Sequence, residues 1–435
     1  MTQKRKDILV VGFALFAMFF GAGNLIFPPA LGQAAGEQVV PVIFGFLLTG
    51  VGLPLLGIIA VSKSGGDLES LASKASKKFG RILACGVILT LGPLVAIPRT
   101  SATTYEMAIA PFFPNFNPII FSAIYFFIVL VFVLKPSSLI DNIGRVLTPI
   151  LFVTMITIIA KGIIQPQGVL IDTGINISFS NGFSEGYQTM DAMGATILGG
   201  IIIAAIRAKG YTKTKEVSQI TVRAGMVAAA GLTIVYGGLA YLGATAGDMP
   251  MELSRPALII QITNNLLGTF GQGLLGVAVG MACLTTAIGL TATAGDFFSR
   301  TSNGKSNYKV VSITTAMVSM GISNMGVDRI INFAEPILLI LYPMIIVLVA
   351  LAFLDKHIKS ASVYKGAVFS ALFISVMDVI GTFIFPIPMM TKAIQGLPLA
   401  TQGFGWLAPS IFIGLVFYLK DHYVNYTRKK VGYTH

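Results

Sequence analysis

Glycines, an asparagine and two prolines interrupt the first long apolar run of this chain, in the stretch MFFGAGNLIFPPALG over residues 18–32. Gly21, Ala22 and Gly23 have little or no side chain, so backbone amides at the start of a following half-helix can meet a ligand directly. Such a helix start carries a partial positive charge that suits a carboxylate, and the carbonyls that end the preceding half-helix suit a cation. The stretch therefore has the chemistry to hold an anion and a cation side by side.

The same glycines have a second interpretation, because small residues also allow two membrane helices to pack closely. Asn24 favours a binding site, since a buried amide side chain in a membrane needs hydrogen-bond partners or an ion. A nucleotide-binding loop is excluded, because no strand precedes the glycines and the full G-x-G-x-x-G spacing is absent.

A second interruption, GYQTMDAMGATILGG over residues 186–200, places the acidic Asp191 and several small residues inside another apolar run. In lipid every backbone N–H and C=O needs a partner, so unwound backbone survives only where protein or a water-filled cavity surrounds it. Interruptions at corresponding positions of two halves of a membrane protein indicate a substrate site near the bilayer midplane. We therefore expect such a site between these two segments.

A third stretch, GMACLTTAIGLTATAGD over residues 280–296, contains the adjacent hydroxyls of Thr285 and Thr286, with Ala282 one helical turn before them. Two threonine oxygens, one helix carbonyl and two carbonyls from the first interruption would make five neutral oxygen ligands. Such a set fits Na⁺, a hard cation. The alternative is that the threonines only bond back to carbonyls of their own helix.

These stretches lie in an integral membrane protein, since 54% of the 435 residues are hydrophobic and 11% are charged. A spanning helix needs about 20 mostly apolar residues. The sequence predicts an all-α fold with twelve transmembrane helices, over residues 8–29, 39–61, 82–110, 118–134, 144–164, 186–206, 221–246, 272–298, 309–325, 331–354, 364–388 and 404–420.

The formal net charge of +12 reflects membrane topology. If the N-terminus is cytoplasmic, most Lys and Arg residues lie in inner segments. The outer segments hold only Lys161, Arg255, Arg329 and Lys392. This asymmetry follows the positive-inside rule and predicts that both termini are cytoplasmic. We expect no nucleic-acid partner, and nothing in the sequence points to an obligatory protein partner.

The spans form two predicted blocks of five, residues 1–165 and 183–355, followed by two additional helices over residues 364–420. A block of five contains an odd number of crossings, so a second copy runs through the membrane in the opposite sense. Each block opens with an interrupted helix. The pattern predicts a single transporter domain built as an inverted repeat.

Other function classes fit less well. The histidines His357, His422 and His435 all fall in predicted loops or the tail, and no nucleophile and base converge within the spans, which disfavours a membrane enzyme. No rings of charge indicate a channel. A non-transporting amino acid sensor remains an alternative.

Three motifs carry a resemblance to a known family: ALFAMFFGAGNLIFPP in the first span, GPLVAIPRTSATTYE in the third and TMDAMGA in the sixth. They resemble the bacterial branched-chain amino acid:cation symporter family, and the resemblance runs over essentially the whole chain. It implies uptake of leucine, isoleucine and valine through the bacterial cell membrane, coupled to Na⁺ or, as an alternative, to H⁺. More distantly, the pattern is similar to the five-plus-five inverted-repeat fold of sodium-coupled amino acid transporters.

In that fold a sodium ion lies between the break of helix 1 and an Ala-x-x-Thr-Ser/Thr motif on helix 8. The resemblance implies that the Na⁺ ligands here are Ala17, Phe20, Ala282, Thr285 and Thr286. We expect the substrate carboxylate to meet backbone amides of the first interruption and the ammonium to meet carbonyls of the second, with Met190 and Met193 beside an apolar pocket. The residues assigned to substrate are Gly21, Ala22, Gly23, Asn24, Thr189, Met190, Asp191, Ala192 and Met193.

Charged residues inside apolar spans need partners or water. We expect Arg99 of the third span to pair with Asp191 near the substrate site. Asp378 is the candidate proton site if the coupling ion is H⁺, with a structural hydrogen bond as the alternative. Glu106 has two interpretations, a gate or contact with water, and Glu335 is expected to cap the start of the tenth span.

Overall fold

The computed structural model describes residues 3–21, 23–135, 138–175, 177–302, 305–358, 360–385 and 387–430. Within that part of the chain every regular element is a helix, as the sequence predicts. The α-helices are α1 (Gln3–Phe19), α2 (Gly23–Ala35), α3 (Val39–Leu47), α4 (Leu53–Lys63), α5 (Leu68–Ser73), α6 (Lys77–Leu89), α7 (Ala96–Thr104), α8 (Pro118–Leu134), α9 (Ser138–Ile164), α10 (Phe179–Glu185), α11 (Asp191–Ala208), α12 (Thr214–Ala244), α13 (Arg255–Thr301), α14 (Tyr308–Ser323), α15 (Val327–Leu354), α16 (Ala361–Val379), α17 (Pro388–Gln395) and α18 (Leu407–Lys430).

Short 3₁₀ and π turns join or interrupt these helices. The 3₁₀ turns are Gly36–Gln38, Gly186–Thr189 and Ala400–Gln402, and the π turns are Leu48–Gly52, Thr90–Leu94, Tyr105–Ile109 and Ile380–Ile384. The turn Thr90–Leu94 bends the predicted third span, because Pro93 has no N–H to donate and Gly92 leaves helical geometry, with φ −90° and ψ −119°. The bend divides this span into α6 and α7, and α7 carries Arg99.

Seven helical runs of the described residues are long and apolar enough to cross a membrane: Gly23–Lys63, Lys77–Ile109, Asp191–Ala208, Lys215–Ala244, Arg255–Thr301, Val327–Leu354 and Ala361–Ile384. Two further apolar helices, Pro118–Leu134 and Pro149–Ile164, are shorter. The all-α membrane architecture is confirmed by these runs. The count of twelve spans and the inverted repeat remain predictions.

The chain divides into two compact units. The first comprises Met1–Gly52, Ile88–Ala192 and Gln219–Glu335, and it contains both predicted interruptions together with Arg99 and the threonine pair. The second comprises Leu53–Val87, Met193–Ser218 and Pro336–His435.

Within the first unit, α7, α8, α13 and α14 enclose an apolar core. Its buried members are Ile97, Tyr125, Phe126, Val129, Val133, Ala287, Ile288 and Ala316. The core holds α7 against α8 and α13, so the position of Arg99 on α7 is set by packing on both neighbours.

Small residues bring two other pairs of helices close together in the first unit. A Cβ added at Gly32 of α2 would lie 1.9 Å from the carbonyl oxygen of Ala240 on α12, and one at Gly243 would lie 1.9 Å from the carbonyl oxygen of Pro29. A Cβ added at Gly182 of α10 would lie 1.9 Å from the carbonyl oxygen of Val42 on α3. Close packing through glycine therefore holds α2 on α12 and α10 on α3.

In the second unit, Asp355 connects two segments of the chain. It accepts a hydrogen bond of 2.9 Å from the Tyr364 hydroxyl and pairs with the Lys74 ammonium at 3.1 Å. Gly366 of α16 lies against Phe417 of α18. Asp378 lies near the end of α16, and its side chain is exposed in the described structure.

Candidate functional site

The first predicted interruption is a true break. Helix α1 ends at Phe19, and α2 begins at Gly23. Between them, the Phe20 N–H donates to the Phe16 carbonyl at 2.8 Å, and the Gly21 N–H donates to the Phe19 carbonyl at 2.9 Å, which closes a tight turn. Ala22, which the sequence assigns to substrate, lies outside the described residues.

The side chain of Asn24 spans this break and is 1% exposed. Its Nδ2 donates back to the carbonyl of Phe19, the last residue of α1, and also contacts Asp191 Oδ2 at 2.7 Å and the Tyr236 hydroxyl at 2.6 Å. Asn24 thus joins α1, α2, α11 and α12 through one amide. The sequence predicts that Asn24 either makes hydrogen bonds or binds an ion, and the structure shows hydrogen bonds across the break.

The second interruption is also a break, and it lies at the start of the predicted stretch. Helix α10 ends at Glu185, the 3₁₀ turn Gly186–Thr189 follows, and α11 begins at Asp191. The sequence missed α10, because its residues FSNGFSE are polar and short for a membrane segment. Helix α10 thus precedes residue 186, where the sixth span is predicted to begin, and the run that is long and apolar enough to cross a membrane is Asp191–Ala208.

Met190 adopts a left-handed conformation, with φ 59°, although it is not glycine. Such a backbone is uncommon for a residue with a long side chain and requires support from its surroundings. Support comes from Thr189, whose hydroxyl donates to the Gly186 carbonyl at 2.9 Å and accepts the Asp191 N–H at 3.3 Å. Met190 itself is 2% exposed.

Arg99 of α7 contacts both breaks. Its Nη1 donates to the carbonyl of Gln188 in the 3₁₀ turn at 2.8 Å. A Cβ added at Gly23, the first residue of α2, would lie 2.4 Å from Arg99 Nη2, so a larger residue there would displace the guanidinium. The guanidinium carbon also lies 5.4 Å from the centre of the Phe27 ring, within range of a cation–π interaction. The sequence predicts that Arg99 pairs with Asp191, and this pairing stays a prediction; the hydrogen bond from Nη1 goes to the carbonyl of Gln188, three residues before Asp191.

In each break, a side-chain nitrogen donates a hydrogen bond to a backbone carbonyl. Phe19 is the last residue of α1, and Gln188 lies in the 3₁₀ turn that follows α10. Asn24 Nδ2 serves the carbonyl of Phe19, and Arg99 Nη1 serves the carbonyl of Gln188. Carbonyls at a helix C-terminus carry partial negative charge and lack partners within the helix. The side chains of Asn24 and Arg99 supply hydrogen-bond donors to these carbonyls from within the protein.

The two glycines of the first break differ in their surroundings. Gly23 faces the Arg99 guanidinium, whereas among the described residues, apart from its chain neighbours, no atom lies within 4 Å of the position that a Cβ would take at Gly21. The Asn24 N–H donates to the Gly21 carbonyl at 3.1 Å, so this expected substrate amide already has a backbone partner. Gly21 is therefore the point of the break that faces open space.

The predicted sodium ligands remain a prediction. Phe20 is buried and stacks on Phe16 with ring centres 5.1 Å apart, and α13, the helix that carries the threonine pair, packs against α2. The Thr285 hydroxyl donates to the Ala282 carbonyl at 3.0 Å, which is the back-bond that the sequence left as the alternative. Ala17 and Thr286 are partly buried. Within the described residues, no group of three or more His, Cys, Asp or Glu could hold a metal ion.

The remaining substrate residues are buried. Ala192 is fully covered and completes the first turn of α11 inside the first unit. Met193 is also fully covered, but it begins a segment of the second unit.

Sequence reasoning missed two members of the site. Tyr236 is fully buried on α12, where it stacks on Phe20 and meets the edge of Phe46. It carries no motif, and a buried hydroxyl in an otherwise apolar helix was the only signal for it. Gln188 is 5% exposed and supplies the carbonyl that binds Arg99.

An ion-pair network lies beside the breaks. Arg255, at the start of α13, pairs through Nη2 with Glu185 at 3.1 Å and through Nη1 with Asp328 at 3.5 Å. Its guanidinium carbon lies 5.6 Å from the same Phe27 ring that Arg99 contacts. The network therefore links the end of α10 to the starts of α13 and α15.

Glu106 caps a helix in the same region. Its Oε1 accepts the Val327 N–H, at the start of α15, at 2.9 Å. The expectation that Glu335 caps this helix is wrong, because α15 begins eight residues earlier, at Val327, and Glu335 lies inside it. Sequence reasoning placed the start of the span at the start of its apolar run, whereas the polar first turn is also helical.

Two solved structures share the fold. The chain is similar to the inward-facing conformation of Mhp1, with a TM-score of 0.60, 13% identity and coverage of 96% of this chain and 91% of that one. It is also similar to Mhp1, a nucleobase-cation-symport-1 family transporter, in a closed conformation, with a TM-score of 0.58, 15% identity and coverage of 95% and 93%. These likenesses show the fold alone, a helical membrane architecture in which Asn24 and Arg99 of this chain join two broken helices.

The chain belongs to the family described as branched-chain amino acid transport protein, whose sequence model matches residues 4–424. It is 40% identical to the branched-chain amino acid permease BraB of Bacillus subtilis over 424 residues, which cover 95% of each chain. It is 36% identical to the branched-chain amino acid permease BrnQ of Salmonella typhimurium over 426 residues, which cover 96% of each chain. The family resemblance of the three motifs is thereby confirmed, and the relatives are transport proteins rather than enzymes.

Proposed function

We propose that this chain takes up leucine, isoleucine and valine through the bacterial cell membrane by sodium symport, with alternating access to a site at the two helix breaks. The observation that carries the proposal is the position of Asn24, which binds the last carbonyl of α1, Asp191 at the start of α11 and Tyr236 of α12. A ligand that changes either break therefore acts on four helices. Membership of the family supplies the substrate class.

The chemistry of the breaks suits a zwitterion. The substrate carboxylate is assigned to the start of α2, beside the open space at Gly21, where the helix dipole favours negative charge. The ammonium is assigned to carbonyls over Thr189–Ala192 and to the buried carboxylate of Asp191. The buried charged groups Arg99 and Asp191 have opposite signs, so a zwitterion leaves their balance unchanged.

Selectivity among the three substrates is expected to be modest. Met190, buried and held in a left-handed conformation, offers a flexible apolar surface to a branched side chain. An apolar pocket separates substrates that differ by one methylene by only about 10- to 200-fold. Competition by isoleucine and valine against radiolabelled leucine measures this ratio.

The coupling ion is proposed to bind at Ala17, Phe20, Ala282, Thr285 and Thr286. Sodium bound there would join the end of α1 to α13 and so order the break that receives the substrate. The packing of α13 on α2 supports a link between the helix of the threonine pair and the second half of the first broken helix. The Thr285 hydroxyl would then exchange its bond to the Ala282 carbonyl for the ion.

Coupling to H⁺ is the second candidate, and the burial of Asp191 favours it, since a carboxylate at the breaks is a place for a proton. Uptake of radiolabelled leucine into proteoliposomes with Na⁺, Li⁺ or H⁺ as the sole gradient separates the candidates. Sodium symport predicts accumulation with a Na⁺ gradient alone. Accumulation driven by a pH gradient in sodium-free buffer, and lost in Asp191→Asn, supports proton coupling instead, and binding of leucine without any flux supports a sensor.

A further inference from the structure

We infer that Arg99 is a positioning residue for the substrate site: its guanidinium is a fixed internal cation that fastens the two helix breaks together, and Gly23 is glycine because it must admit that group. This inference rests on the proposed function. The proposed ligand set does not include Arg99, and it assigns Gly23 to the substrate only. The family description names neither residue.

The guanidinium of Arg99 contacts both helix breaks. One nitrogen, Nη1, donates to the Gln188 carbonyl in the second break at 2.8 Å. Another, Nη2, occupies the place beside Gly23, where an added Cβ would lie 2.4 Å away and a Cβ-to-Cζ distance would be 2.8 Å. Arg99 therefore contacts the 3₁₀ turn that follows α10 and the start of α2.

The second break contains negative charge that a buried cation can balance. The carbonyls that end a half-helix carry partial negative charge, and Asp191 adds a buried carboxylate. The amide of Asn24 serves the first break without charge, whereas the second break is served by a cation. Arginine suits this position because it stays protonated even when it is buried and has several donors in a rigid plane.

The side chain of Arg99 is buried and packed on several sides. Arg99 is 4% exposed, its carbon chain leaves a helix fixed in the apolar core of the first unit, and its guanidinium lies over the fully buried ring of Phe27. These contacts hold the guanidinium in place between the two breaks. The charge of Arg255, which lies over the same ring, is paired with Glu185 and Asp328.

The test is charge-specific rescue of Arg99→Ala. We expect this variant to lose leucine uptake by about tenfold or more, because a hydrogen bond from a charged group is removed from a buried site. Guanidinium chloride added during the assay should restore a substantial part of the uptake, whereas urea, which has the same shape but no charge, should not. Equal rescue by urea, or full uptake without any additive, would overturn the inference.

Gly23→Ala tests the second half of the inference. Its methyl group should displace the guanidinium and lower uptake to a level close to that of Arg99→Ala. Combined with Arg99→Ala it should add little further loss, because both changes remove one interaction. It should also block rescue by guanidinium. Independent, additive losses from the two substitutions would contradict the assignment of Gly23.

Two comparisons keep the test decisive. If Arg99→Ala does not fold, Arg99→Lys and Arg99→Met separate charge from size, and the inference requires clearly higher uptake in the lysine variant. Arg300→Ala, which alters an exposed arginine paired with Asp296 within one helix, should keep its uptake and not respond to guanidinium. Absence of leucine uptake in the unmodified protein would refute the proposed function instead.

Discussion

The side-chain amide of Asn24 lies 2.7 Å from the carboxylate of Asp191, although the two residues are 167 positions apart in the sequence. Asn24 stands at the start of the second half of one broken helix, and Asp191 stands at the same place in the other. The contact therefore connects equivalent points of the two breaks. Movement of one break changes the hydrogen bonds of the other, which is the behaviour that a shared substrate site needs.

Asn24→Ala should lower the catalytic efficiency of leucine uptake by about 10- to 100-fold, because it removes donors to a buried carboxylate and to the last carbonyl of α1. Initial rates in proteoliposomes over a range of leucine concentrations measure the change. Asn265→Ala is the matched control, since that asparagine is exposed and bonds Gln167 outside the site. An equal loss in both variants would argue against a role of Asn24 in the site.

Gly21→Ala and Gly32→Ala should separate function from folding. The methyl group at Gly21 enters open space, so stability should be unchanged while leucine uptake falls. The methyl group at Gly32 would lie 1.9 Å from the Ala240 carbonyl oxygen, so α2 and α12 must move apart. Overpacking of this kind costs about 1–3 kcal/mol. Thermal unfolding in detergent, measured beside uptake, checks both. Full uptake in Gly21→Ala would show that the substrate does not approach this glycine.

Thr285→Ala and Thr286→Ala should raise the Na⁺ concentration for half-maximal uptake by about tenfold or more each, since each removes one neutral ion ligand and its contribution is comparable to a charge-assisted hydrogen bond. Thr293→Ala, on the same helix, is the control, because its hydroxyl only donates to the Gly289 carbonyl at 2.8 Å. Sodium activation that is the same in both variants and the control would rule out the assigned ion site.

Glu185→Gln should destabilise the protein by about 1 kcal/mol or less, because the ion pair with Arg255 is partly exposed and screened by solvent. It should also reduce the dependence of the melting temperature on choline chloride, which weakens ion pairs in the unmodified protein. Glu252→Gln, in the segment just before α13, controls for a general effect of charge. A loss of several kcal/mol would mean that Glu185 has a further role.

The sequence was sufficient for features that depend on local chemistry. The first break is indicated by Gly21, Gly23 and Asn24, because an unwound segment in lipid requires small residues and polar groups that have hydrogen-bond partners. Asp191 did the same for the second break. The predicted all-α membrane architecture also followed from the lengths of the apolar runs.

Features that depend on contacts between distant segments were not predictable from one sequence. Tyr236 lies in an apolar helix with no motif and enters the site only because α12 packs on α2 through Gly32 and Gly243. Gly23 was interpreted as a free approach to backbone amides, whereas it accommodates Arg99 from another helix. The half-helix α10 was missed because its burial comes from packing on α3, not from its own hydrophobicity.

Equilibrium binding of radiolabelled leucine to the purified protein, with Na⁺ replaced by choline, tests the central claim most directly. The account predicts that leucine binds more tightly in Na⁺, and that leucine lowers the Na⁺ concentration needed for half-saturation by the same factor, since coupling between two sites is reciprocal. Leucine affinity that is identical in Na⁺ and in choline would contradict it.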